Sequence, residues 1–169
     1  MKRPFFGHLL STLFFILLAI FSSPLLAQNT DRGPVQIFDF AVAEELQAYD
    51  NLNLDATHAN LLDPSASEQD INEVLASWSD FHQRIGQHLA DNEFSWNIEA
   101  DDIQVIHKVY FDPSGQVTNY FFRVISSQVS EETRNEYARL ISDFIETERI
   151  DYTMSTQFAQ CGKTRMAVN

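Results

Sequence analysis

The sequence is poor in cysteine, glycine and basic residues: among 169 residues there are one Cys, five Gly and five Pro, and 11 Lys and Arg stand against 24 Asp and Glu. Each shortage excludes something. A single thiol, Cys161, closes no disulfide within the chain, so the fold must rest on its own core. So few glycines leave no Gly-rich loop to cradle a phosphate. A formal charge of −13, with no basic and aromatic interleaving, excludes the cationic footprint that nucleic acid and anionic lipid require. The acids are spread along the chain and read as a solvated surface. Fourteen Phe argue against a disordered chain, since disordered chains are poor in aromatics.

One long apolar run is present, Leu9 to Phe21, broken only by Ser11 and Thr12. Lys2 and Arg3 are the only charges before Asp31, and Ser22, Ser23 and Pro24 follow the run, with Ala27 at a cleavage position. This order predicts a secretory signal peptide over 1–27, and with it an exported protein of the periplasm or the extracellular medium. The run is short for a bilayer span, which needs ~20 apolar residues. No Cys follows it to take a lipid, so no stable membrane anchor is expected after cleavage. Losing Lys2 and Arg3 takes the formal charge from −13 to near −15. A flexible leader is expected over 28–34 and a single domain over 35–169, about 140 residues after the cut, which is one ordinary domain.

Within that domain the periods change along the chain. Phe38, Ala41, Val42, Glu45, Leu46 and Tyr49 fall at helical spacing with Asp39 as a cap, while a strand over 35–40 competes for the same residues. A helix is predicted near 67–91, capped by Ser67, with Ile71, Val74, Leu75, Trp78, Phe81, Ile85 and Leu89 on one face. Gly86 inside it allows close packing. Alternation then predicts strands over 103–111 and 117–125, joined by Asp112-Pro113-Ser114-Gly115 as a hairpin spanning 103–125. Tyr120 and Phe122 point to one side of the second strand and Phe121 to the other. A helix near 130–147 starts at Ser130 and buries Tyr137, Leu140, Ile141, Phe144 and Ile145. A strand near 152–160 follows, Cys161-Gly162-Lys163 reads as a turn, and the tail after it offers a short further strand. The fold class is α+β, with an antiparallel sheet packed against the helices.

The segment Val109-Tyr110-Phe111-Asp112-Pro113-Ser114-Gly115-Gln116-Val117, followed by a helix and a last strand, resembles the hairpin of TonB C-terminal-like β-β-α-β domains over residues 103–160. The family's Tyr-Pro segment before the first strand and its aromatic-x-Pro signature after the helix are absent, as is a Pro-rich linker. The resemblance implies a periplasmic protein-binding module that pairs through a sheet edge, without energy transduction.

Motifs for chemistry are few. His82 and His88 share a helix at a spacing of six, so they diverge, and His58 and His107 stand apart in the sequence. There is no Gly-x-Ser-x-Gly elbow, and Cys161 lacks the flanks of a papain-like or caspase nucleophile. Asp101-Asp102 and Glu131-Glu132 read as surface or capping acids. Cys161 reads as a buried small hydrophobe, with an intermolecular disulfide or a reactive thiol beside a His such as His107 as the sharper alternatives. No enzyme, cofactor or metal site is therefore expected. The expectation is a non-catalytic module that binds a protein or peptide, with Tyr120, Phe121, Phe122 and Trp78 as the candidate binding surface. The alternative is a small-ligand domain with a pocket lined by Trp78, Phe81, Tyr120 and Phe122, and a cavity of ~300 Å³ or more favours it.

Overall fold

The computed structural model of the chain describes residues 35–63 and 71–168. The signal peptide expected over 1–27, the leader over 28–34 and the Ser67 cap lie outside the described residues. The elements run β1 (Gln36–Asp39), α1 (Ala43–Leu52), a 3-10 turn (Leu54–Ala56), β2 (Ala59–Asn60), α2 (Ile71–Asp91), β3 (Asp102–Phe111), β4 (Val117–Val124), α3 (Glu131–Thr147) and β5 (Phe158–Ala167). This is an α+β fold around one five-stranded sheet in the order β1-β4-β3-β5-β2.

The β3–β4 hairpin forms where the turn chemistry places it. Asp112 Oδ1 accepts from the Ser114 amide (2.9 Å), the Ser114 hydroxyl (2.7 Å) and the Gln116 amide (3.0 Å), which closes the turn locally. Gly115 sits at φ +85°, and a Cβ there would stand 2.5 Å from the Tyr152 carbonyl oxygen and 2.6 Å from that of Ile150. The same turn anchors the exit of α3, because the Ile150 amide donates to the Gly115 carbonyl and the Met154 amide to that of Pro113 (both 3.0 Å). Helix α3 starts at Ser130, whose side chain accepts from the Thr133 amide at 3.1 Å.

Helices α2 and α3 cover one face of the sheet. Phe81, Ile85, Tyr137, Leu140, Ile141, Phe144 and Ile145 meet Val105, Val109, Phe111, Tyr120 and Phe122 there, all 3% exposed or less. Among the described residues the other face is covered over only part of its area: Tyr110, Phe121 and Ala159 pack against Phe38, Phe40, Tyr49 and Leu54 from the β1–α1 segment.

Four expectations are corrected. The sheet is mixed: β3 runs antiparallel to β4 and β5, but β1 is parallel to β4 and β2 parallel to β5. The strand that competes for residues 35–40 forms as β1, but its parallel pairing and that of the two-residue β2 depend on partners far along the chain. The last strand is β5 over 158–167, where a strand near 152–160 and a turn at Cys161-Gly162-Lys163 were expected. Gly162 serves a close approach in that strand, since a Cβ on it would lie 2.7 Å from Trp78 Nε1. Asp39 ends β1 and does not cap α1; it accepts from the Ala41 amide at 2.8 Å and pairs with Arg134 at 2.6 Å. Ile71 and Leu75 stand 50% and 46% exposed, so the packed face of α2 is carried by Val74, Phe81, His82, Ile85 and Leu89.

Candidate functional site

Three of the four residues expected to form a binding surface are core. Tyr120 and Phe121 are fully buried and Phe122 is 1% exposed, with Phe121 on the face opposite the other two. The correction has a simple cause: β4 lies between β1 and β3, and helices or the α1 segment cover both of its faces here. The same burial, with that of Phe81, removes the pocket lined by Trp78, Phe81, Tyr120 and Phe122. Trp78 is half-buried, over Gly162 and 4.1 Å from the His82 ring.

Tertiary folding joins two histidines that the sequence separates. His82 of α2 and His107 of β3 meet ring to ring, 4.5 Å between centroids. His107 is wholly buried, with Nδ1 2.6 Å from the Tyr120 hydroxyl and Nε2 2.6 Å from Thr164 Oγ1. Tyr120 continues to the Tyr137 hydroxyl at 3.1 Å. Burial pushes both imidazoles down, His82 to about 4 and His107 well below its ordinary value, and pushes both phenols up. Neutral His107 carries one donor and one acceptor, so the chain from Thr164 to Tyr137 is satisfied in either tautomer. In His82, Nδ1–H donates to the Trp78 carbonyl at 3.1 Å, which leaves Nε2 as a bare acceptor without a partner. No group of three or more His, Cys, Asp or Glu among the described residues could hold a metal ion.

Cys161 is exposed, where a buried thiol was expected. It stands opposite Lys108 in the ladder, whereas His107 stands opposite Gly162. Directly opposed residues share a face and neighbours alternate, so the thiol and the imidazole lie on opposite faces of the sheet and form no nucleophile–base pair.

A polar cluster on the second face ties α1 and the 3-10 turn to the sheet. Lys108 Nζ lies 2.6 Å from Asp55 and 2.8 Å from the Tyr49 hydroxyl, and Tyr110 donates to Asp55 at 2.6 Å. Burial pushes Asp55 up, but the hydrogen bonds from Lys108 and Tyr110 outweigh it and hold the carboxyl below its ordinary value. Burial pushes Lys108 down, and Asp55 and Tyr49 more than reverse it, so the amine stays charged. A clamp, not a nucleophilic lysine, results.

The site that sequence reasoning missed is the outer edge of β5. The Leu61 amide donates to the Ala159 carbonyl on the β2 side (3.0 Å), and the Val168 amide donates to Asp101 on the β3 side (3.2 Å). Backbone direction alternates along a strand, so Cys161, Lys163, Arg165 and Ala167 turn their N–H and C=O groups outward. β2 pairs with β5 only at Phe158 and Ala159, and among the described residues no strand meets β5 beyond that point. Between this edge and α2 lies an open groove of about 610 Å³, lined by Ser79, His82, Gly86 and Leu89 of α2, residues 164–167 of β5, and Trp96. Gly86 leaves free space over the helix, where a Cβ would meet nothing within 4 Å. Gly86 was the only signal of this groove in the sequence, and it fits close packing equally well. The chain matches no family model, no curated protein and no solved structure.

Proposed function

We propose that this is an exported, non-catalytic module that binds a peptide or a protein segment by adding it as a strand to the edge of β5. One observation carries the reading: a run of outward backbone donors and acceptors stands beside a groove large enough for side chains. Strand addition draws affinity from the main chain and selectivity from pockets at alternate positions. His82 and Ser79 give the groove a polar side on α2. The order β3-β4-α3-β5 is also the β-β-α-β order that the resemblance to TonB C-terminal-like domains implies, which supports a periplasmic binding role.

Arg165→Pro tests the reading. It removes one outward N–H and no bond to β3, and proline is tolerated on an edge strand whose N–H faces solvent. Peptides selected from a random library on the wild-type protein should slow amide exchange at Cys161, Lys163, Arg165 and Ala167, and Arg165→Pro should lose them with its melting temperature little changed. Protection elsewhere, or full binding by Arg165→Pro, sinks the reading. A small ligand in the groove is the second reading, favoured by a volume within the ~300–1,000 Å³ common for such sites. A small molecule that binds Arg165→Pro as well as wild type supports it.

A further inference from the structure

The part of the second sheet face that α1 leaves open runs against the composition of the chain. Arg123 and Lys163 flank Ile106 in the ladder, Arg165 stands opposite Gln104, and Lys108 lies further along the same side. Lys108, Arg123, Lys163 and Arg165, four of only 11 basic residues in a chain of charge −13, therefore share one face. Lys108 is engaged by Asp55 at 2.6 Å. Arg165 reaches Asp102 only at 3.6 Å, with side chains 68% and 40% exposed, and among the described residues Arg123 and Lys163 have no ion pair.

Lys163 and Arg165 belong to the strand whose outer edge meets no other strand among the described residues beyond its short pairing with β2. A strand added there would lie ~4.8 Å from β5, and its side chains would alternate between two environments. On the α2 side they enter the groove beside Leu89, Trp96 and Met166. On the other side they stand next to Lys163 and Arg165, within the reach of cross-strand pairs. Arg123, three strand spacings away, adds only a screened field. A second copy of this chain is a poor occupant, because pairing two β5 edges sets the cations of one against those of the other.

Resting on the reading of β5 as a strand-accepting edge, we propose that the segment it takes is an extended acidic strand, with apolar residues alternating with Asp or Glu. The apolar set fills the groove under α2 and the acidic set faces Lys163 and Arg165. The same cations keep β5 from pairing with itself.

Three fluorescent peptides of about seven residues, the length of an ordinary strand, test this. Each has Val at alternate positions and Glu, Gln or Lys at the others. At low salt the Glu peptide should bind roughly three- to tenfold tighter than the Gln peptide, with the Lys peptide weakest, from two exposed charge pairs. High salt should narrow the differences. The double variant Lys163→Glu/Arg165→Glu should reverse the order. Equal binding of all three peptides overturns the acidic preference and leaves strand addition standing, whereas no binding by any of them overturns both. A preference for Glu that survives the double charge reversal also overturns it.

Discussion

His82 and His107 are neutral in the fold and surrounded by a carbonyl, hydroxyls and aromatic rings, so acid should act on them first. In the unfolded chain both titrate near 6.5. In the native chain His82 titrates at about 4 and His107 well below its ordinary value, both through burial. Below pH 6.5 the unfolded state therefore binds protons that the native state refuses. The stabilisation is complete above pH 6.5, falls as the pH drops, and for His82 is exhausted below about pH 4. A pKa unit is worth about 1.4 kcal/mol, so the His82 shift corresponds to about 3 kcal/mol in all. Between pH 6.5 and 5 the His82 shift alone should cost about 2 kcal/mol, a large fraction of the stability of a small domain, and His107, shifted in the same direction, adds to the loss. Most carboxylates titrate below this window, so relief of the −13 surface charge does not mask the loss. The assay is the urea midpoint at half-unit pH steps from 7.5 to 5, for wild type and for His82→Phe, which keeps a ring and removes the titration. Wild type should lose stability steadily, and His82→Phe should lose about 2 kcal/mol less over the same span. A flat wild-type profile, or an unchanged slope in His82→Phe, refutes the placement of these rings.

Other outcomes follow from single contacts. Gly162→Ala drives a Cβ into the Trp78 ring and should cost about 1–3 kcal/mol with a shift in tryptophan emission, and Trp78→Leu in the same chain should recover part of it; additive losses would show that the two do not touch. Phe121→Ala empties the cluster under α1 and should destabilise by about 3–5 kcal/mol by thermal or urea unfolding, whereas a loss below about 1 kcal/mol would mean that α1 does not cover this face. Cys161 should react with a thiol reagent at nearly the same rate in the folded and urea-unfolded protein, and strong protection in the folded state would contradict its exposure.

Residues whose partners are near in sequence are legible in the sequence itself. The Asp112-to-Gly115 turn, the Ser130 cap, the buried stripe of α3 and the two faces of β4 depend on period and local hydrogen bonds, and the sequence alone determined them together with the α+β class. Tertiary structure decided the rest. Whether Tyr120, Phe121 and Phe122 form a surface or a core depended on which strands flank β4, and periodicity says nothing of strand order. Gly162 looked like a turn until Trp78, from a helix 84 positions earlier, proved to need its missing Cβ. The His82–His107 contact, the separation of Cys161 from His107 and the cation-bearing edge of β5 all arise from register, which is fixed when buried faces meet. A side chain's type is written locally, but its partners and its exposure belong to the packed sheet.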